Sequence, residues 1–103
     1  MSENEQGIAV PIEWCYPDNI ISRYATNVIV QHTEHEFILS FFEVRPPILL
    51  GSSEELKEKA LHIKSIKAEC VARIIVSAER MPNFVRVLQD NLSKYQEKSN
   101  QAE

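Results

Sequence analysis

One polar run of the sequence, residues 31–36, has residue types that could bind a metal ion. His32 and His35 offer two imidazole nitrogens and Glu34, or alternatively Glu36, offers a carboxylate oxygen, all of which are ordinary ligands of zinc and similar ions. The spacing is H-x-x-H, whereas the H-E-x-x-H of a metalloprotease places two histidines one helical turn apart. The remaining histidine, His62, is remote in the sequence. We therefore predict a polar hairpin tip without a metal, and keep these three residues as the ligands of an alternative metal site.

No other group of residues carries a signature of catalysis. The sequence lacks the G-x-S-x-G of a nucleophile elbow, and with glycine only at Gly7 and Gly51 it cannot form a phosphate-binding glycine loop. Cys15 and Cys70 are far apart and form no C-x-x-C. We predict two reduced thiols in a protein that is not an enzyme and has no cofactor.

The overall composition is that of one small soluble domain. The chain has 103 residues, a formal net charge of −4 and 44% hydrophobic residues. The acidic balance argues against general nucleic-acid binding, which needs a basic stripe. The apolar runs are too short to span a bilayer, and the polar, acidic first residues are unlike a signal peptide. We therefore expect a cytoplasmic protein that binds neither nucleic acid nor a membrane.

The order of the strand-like stretches predicts an antiparallel meander. Residues 23–31 are rich in β-branched side chains, residues 37–45 in apolar and aromatic ones, and residues 63–77 form the third strand. The polar residues between the first two are typical of a hairpin, which we take to pair His32 with Phe37. Residues 8–16 alternate but contain Pro11, so they predict an edge strand or an extended arm. The sheet then has three to four strands.

Two helices complete the prediction. Ser52 and Glu55 have the spacing of a capping box, which favours a short helix over residues 53–61, with a mobile loop as the alternative. Pro82 implies that a long C-terminal helix either begins near it or is capped by Ser77 with an irregular first turn. The apolar stripe of that helix has steps of three and four residues and consists of Met81, Phe84, Val85, Leu88, Leu92 and Tyr95. The fold class is α+β, with one domain over residues 8–98 and disordered ends at 1–7 and 99–103.

Side-chain alternation assigns two different faces to the sheet. One face is nearly all apolar and should pack against the long helix; it consists of Tyr24, Thr26, Val28, Val30, Phe37, Leu39, Phe41, Cys70, Ala72, Ile74 and Val76. The opposite face is too apolar for ordinary solvent exposure, and its key members are Ile29, Ile38, Phe42, Val71, Arg73 and Ile75. Arg73 is expected to pair with a carboxylate such as Glu43 or to lie at an interface.

One helix can cover only one side of such a sheet. The other side must then be covered by the N-terminal arm with Trp14, by a second copy of the chain or by another protein, since large bare apolar patches are uncommon on soluble monomers. We predict homodimerisation through this face or through strand pairing at an edge.

Three stretches of the sequence carry a resemblance to a known family. They are Tyr24-Ala25-Thr26-Asn27, residues 32–42 with Glu36-Phe37 and Phe41, and residues 77–97 with Leu88-Gln89-Asp90-Asn91-Leu92 and Tyr95. Together they resemble a small prokaryotic family classed as domain of unknown function 3467, over residues 20–97. The resemblance implies a strand–strand–strand–helix unit. It implies no activity, so no functional residue is carried over.

The pattern as a whole favours a non-enzymatic protein-interaction module. Such a module would homodimerise and bind another protein or an extended segment, in a chaperone-like way if the segment adds to a sheet edge. The sheet-plus-helix layout is similar to that of the SecB export chaperone in fold only. The alternative is a small-ligand or metal-binding regulator that uses residues 32–36.

Overall fold

A computed structural model of the chain describes residues 9–101. The strands β1 (Asn27–His32), β2 (Glu36–Arg45) and β3 (Lys67–Ser77) form one antiparallel sheet in the order β1-β2-β3. Helix α1 (Ser53–Leu61) connects β2 to β3, and helix α2 (Met81–Gln101) follows β3. The predicted α+β meander is confirmed with three strands. The prediction of disorder over residues 1–7 lies outside the described residues.

The β1–β2 hairpin has the predicted register, with His32 opposite Phe37. Strand β1 begins at Asn27, four residues later than predicted, because the ladder changes at Thr26. The Thr26 N–H donates to the Phe42 carbonyl at 2.8 Å, and the Val44 N–H donates to Thr26 Oγ1 at 2.9 Å. A side-chain oxygen thus takes the place of a backbone acceptor and ends the regular pairing.

Strand β3 contains a bulge that changes which residues share a face. Phe41 lies opposite Ala72, but Phe42 lies opposite Cys70, so Val71 is an extra residue in β3. The prediction that Cys70 belongs to the helix-covered face is therefore wrong, because the extra residue shifts the alternation and Cys70 shares the face of Phe42. The strand begins at Lys67, four residues after the predicted start.

Helix α1 is held by its cap rather than by packing. The Glu55 N–H donates to Ser52 Oγ at 3.3 Å, and the Ser52 N–H donates to Glu55 Oε1 at 3.2 Å, so both halves of the capping box are present. Gly51 leads into the cap with φ of 135°, a conformation that favours glycine. None of the helix residues is buried. Local sequence therefore accounts for this helix, and the loop alternative is wrong.

Helix α2 begins at Met81, which confirms the alternative that places its start near Pro82. Pro82 lies in the first turn, where a helix needs no N–H from that residue. A turn closed by the Arg80 N–H donating to the Ser77 carbonyl at 3.1 Å precedes the helix. The helix continues to Gln101, three residues beyond the predicted domain boundary.

The first half of α2 lies over β2 and β3. An apolar groove of about 400 Å³ separates the helix from the sheet, lined by Leu39, Phe41, Ile74, Val76, Asn83, Phe84, Val87 and Leu88. Over residues 9–101, Val76 is the single buried apolar residue, at 4% exposed. The radius of gyration is 21.4 Å, whereas a compact domain of this length has about 13 Å. One chain therefore forms two layers but hardly a core.

Candidate functional site

The face of the sheet that points away from α2, here called the open face, is the candidate site. By register and alternation it holds Asn27, Ile29, Gln31, Ile38, Ser40, Phe42, Cys70, Arg73 and Ile75. Five of the six predicted interface residues lie there, and the sixth, Val71, is the extra residue of the adjoining bulge. The hairpin and the β2–β3 pairing thus bring these residues together from three strands.

The open face is apolar at its centre and mixed at its two edge strands. Ile38, Phe42 and Val71 are half-buried among neighbouring side chains, whereas Ile75 at the edge strand is 61% exposed. Ser40 is buried on the middle strand because its small side chain lies between larger ones. No buried side-chain nitrogen or oxygen in the described part of the chain lacks a hydrogen-bond partner. An apolar partner can therefore cover the half-buried centre of this face, whereas Asn27, Gln31 and Arg73 need polar partners or water.

The N-terminal arm does not cover the open face. Trp14 is 80% exposed and Tyr16 is more exposed still. The arm is extended, and it has one turn in which the Ile20 N–H donates to the Pro17 carbonyl at 3.1 Å. The option that Trp14 covers this face within one chain is wrong for residues 9–101, because the arm pairs with no strand there.

Arg73 is the charged residue of the open face. It lies opposite Ser40, whereas Glu43 lies opposite Glu69 on the other face of the sheet. Glu43 instead pairs with Arg45 at 3.1 Å. The predicted Arg73–Glu43 pair is wrong because the two side chains lie on opposite faces, and no ion pair within residues 9–101 involves Arg73.

The hairpin tip is organised by Thr33, which the sequence analysis did not single out. The Thr33 N–H donates to the Glu36 carbonyl at 2.8 Å, and the Glu36 N–H donates to Thr33 Oγ1 at 3.2 Å. A threonine at the first loop position, whose hydroxyl accepts from a residue further on, is a recognisable turn signal. The tip thus has a structural explanation in its hydrogen bonds.

The three residues of the alternative metal site do not come together at the tip. His35 Nε2 lies 3.6 Å from Glu34 Oε1, with both side chains exposed. His32 instead contacts Phe37, with ring centroids 5.7 Å apart. In the part of the chain that the structure describes, no three His, Cys, Asp or Glu side chains form a group that could hold a metal ion.

Comparison with known proteins places the chain in a family context. A family model described as "Protein of unknown function (DUF3467)" matches residues 1–101. No curated protein and no solved structure matches the chain. Over residues 9–101, neither helix has the length and hydrophobicity needed to cross a bilayer. The comparisons bring no activity or ligand, so the function must be argued from the surface.

Proposed function

The chain belongs to the DUF3467 family of unknown function, and we propose that it is a non-enzymatic interaction module that forms a homodimer. One observation carries the proposal: within residues 9–101, Val76 alone among the apolar residues is buried, whereas β2 side chains such as Phe37 and Leu39 are half-buried and Val28, Val30 and Ile74 are about half exposed. A sheet and a helix are stable only when their apolar faces are buried against another layer. A second chain would bury part of this surface.

The exposed area is large enough for this role. The accessible surface of the chain is 9908 Å², whereas a compact protein of its mass exposes about 6,000 Å². Part of the excess lies on the extended N-terminal arm, and the total is larger than the roughly 800 Å² that each partner contributes to a stable interface of standard size.

A second copy is the simplest partner. It exposes the same apolar surface and is present at the same concentration, so one two-fold interface buries apolar surface on both chains. A different protein would have to be present in equal amount to stabilise every copy. The two exposed thiols, Cys15 and Cys70, are compatible with the cytoplasm, where we place the protein.

The open face is the part of the module that binds another protein. Its apolar residues suit apolar side chains of an extended segment, and the guanidinium of Arg73 suits a carboxylate or a backbone carbonyl of that segment. This is a chaperone-like role in which surface contact, rather than chemistry, is the function.

Sedimentation velocity at micromolar concentration tests the homodimer. We expect a mass twice the 11.9 kDa of one chain. A single-chain mass for a protein that retains its helix and strand circular dichroism would contradict the homodimer.

Binding of an unfolded probe tests the open face. With reduced, carboxymethylated lactalbumin as the probe, Phe42→Ser should weaken binding, and Tyr16→Ser on the exposed arm is the matched control. Equal binding by both variants and the wild type would remove the open face from the proposal.

A further inference from the structure

The outer edge of β1 is an unpaired ladder within the described chain. The Thr33 N–H donates to the Glu36 carbonyl at 2.8 Å, and hydrogen-bonded pairs alternate along an antiparallel ladder. The odd-numbered residues of β1 therefore bond to β2. Val28, Val30 and His32 point their N–H and C=O groups to the outside, where each could pair with another strand.

This edge lacks the features that prevent strand pairing. Edge strands of soluble proteins are commonly blunted by charged side chains, proline or bulges. The outer edge of β3 has such features, since the strand contains Lys67, Glu69 and Arg73 and is interrupted at Val71. The sequence of β1 is NVIVQH, without acidic residues, lysine, arginine or proline. Of the two edges of the sheet, β1 is the one suited to pairing.

The position of α2 points to the same edge. The groove beneath the helix is lined by residues of β2 and β3 and by none of β1. Val28 and Val30 share the helix-side face with Leu39 and Phe41 but are 50% and 49% exposed. The apolar surface therefore continues past the helix and stops at the edge of β1, as expected for one half of a wider sheet.

We propose that β1 pairs antiparallel with β1 of a second copy, which joins two three-stranded sheets into one six-stranded sheet. This inference rests on the proposed homodimer and names its interface. A two-fold axis perpendicular to the sheet keeps residues of one face together, and all three outward-pointing residues find partners when Val30 lies opposite the partner's Val30. In this register, Val28 lies opposite the partner's His32, and His32 lies opposite the partner's Val28. The three facing pairs give about six hydrogen bonds.

Self-complementarity and charge both favour a second copy as the occupant. Every outward N–H and C=O of the three residues meets its counterpart, so no other sequence is needed to complete the ladder. The antiparallel direction also separates the acidic hairpin tips. Glu34 and the partner's Glu34 lie about 27 Å apart along the strands, at 3.4 Å per residue.

Disulfide trapping tests the register. In the proposed register, Ile29 lies opposite the partner's Gln31 as a non-hydrogen-bonded pair, with about 4.5 Å between their Cα atoms. A disulfide can bridge that distance. All variants carry Cys15→Ser and Cys70→Ser, so that no natural thiol competes. An equal mixture of Ile29→Cys chains and Gln31→Cys chains, refolded together and oxidised, should form a cross-linked dimer in up to half of the material. Each variant oxidised alone should remain uncross-linked, because its thiols are then diagonal neighbours.

The outcomes separate this inference from the proposed function. Cross-linking of either variant alone means a register shifted by two residues and overturns the pairing. A dimer mass without any cross-link overturns the β1 interface but not the homodimer. The dimer then forms through the sheet face, and the β1 edge is free to bind a segment of another protein. A single-chain mass overturns both.

A second variant removes a hydrogen bond without relying on oxidation. Val30→Pro deletes an N–H that is not used inside the chain, so the β1–β2 hydrogen bonds should remain while the dimer dissociation constant rises at least tenfold; circular dichroism at a concentration where the dimer still forms checks the fold. Val30→Ala keeps the N–H and is the control for the lost side chain. Unchanged dimerisation of Val30→Pro overturns the pairing.

Discussion

Glu43 and Glu69 lie directly opposite each other across β2 and β3, and Arg45 contacts both. Its Nη2 lies 3.1 Å from Glu43 Oε1, and its Nη1 lies 3.3 Å from Glu69 Oε1. Two like charges at facing positions of a ladder repel each other, and the guanidinium offsets that repulsion. This cluster lies on the helix-side face, whereas Arg73 lies opposite Ser40 on the open face.

Arg45→Gln should lower the free energy of unfolding by about 0.5–1 kcal/mol, the upper range for partly exposed ion pairs. The loss has two parts: two attractive contacts disappear, and the facing carboxylates are no longer screened. Urea unfolding at one fixed protein concentration measures it. Adding Glu69→Gln to Arg45→Gln should restore part of the loss, since it removes the repulsion. Equal stability of the single and double variants would show that the carboxylates do not interact.

Val76→Ala should destabilise the protein by about 1–2 kcal/mol, because it leaves a cavity at the single buried apolar residue of the described chain. Val10→Ala is the matched control, since Val10 on the arm is 79% exposed and its loss should change stability by less than about 0.5 kcal/mol. Thermal or urea unfolding measures both. If the two variants lose the same stability, the arm is packed in the assembled protein.

Ser52→Ala should weaken helix α1 by about 1 kcal/mol, the usual cost of losing an N-cap oxygen. Because no residue of α1 is buried, the effect should appear as faster amide hydrogen exchange over α1 rather than as a change in global unfolding. Ser53→Ala is the control, since Ser53 is the first helical residue and not the cap. Unchanged exchange in Ser52→Ala would mean that contacts to a second chain, rather than the cap, stabilise this helix.

Cys70 and Cys15 should react with maleimide at comparable rates. Both thiols are exposed, and the proposed pairing at β1 would leave β3 on the outside of the six-stranded sheet. Cys15→Ser and Cys70→Ser separate the two signals in a mass-spectrometric time course. Protection of Cys70 by more than tenfold in the assembled protein would indicate that a second copy covers the open face instead.

The local sequence was sufficient for the elements and for the hairpin. The capping box at Ser52 and the helical stripe from Met81 are short-range signals, and the β1–β2 pairing follows from a loop only a few residues long. Such interactions depend on neighbours in the chain, so they can be predicted without the rest of the fold.

The errors came from non-local pairing. The bulge at Val71 moves Cys70 to the other face, and the β2–β3 register places Glu43 and Arg73 on opposite faces of the sheet. One inserted residue in a ladder changes every assignment beyond it, because side chains alternate with a period of two. Nothing in the β3 sequence marks that position, since small residues, Cys70 and Ala72, flank it on both sides.

By itself, the sequence determined that this protein has more apolar sheet surface than one helix can cover, because it predicts a meander with two apolar faces and one long helix. That conclusion needs only composition and periodicity. The tertiary structure decided where the surplus lies. Helix α2 lies over β2 and β3, the arm stays away from the sheet, and the edge of β1 stays unpaired within the described residues. The physical reason is that burial depends on how elements that are distant in sequence pack together, whereas the apolar character of an element depends only on its own residues.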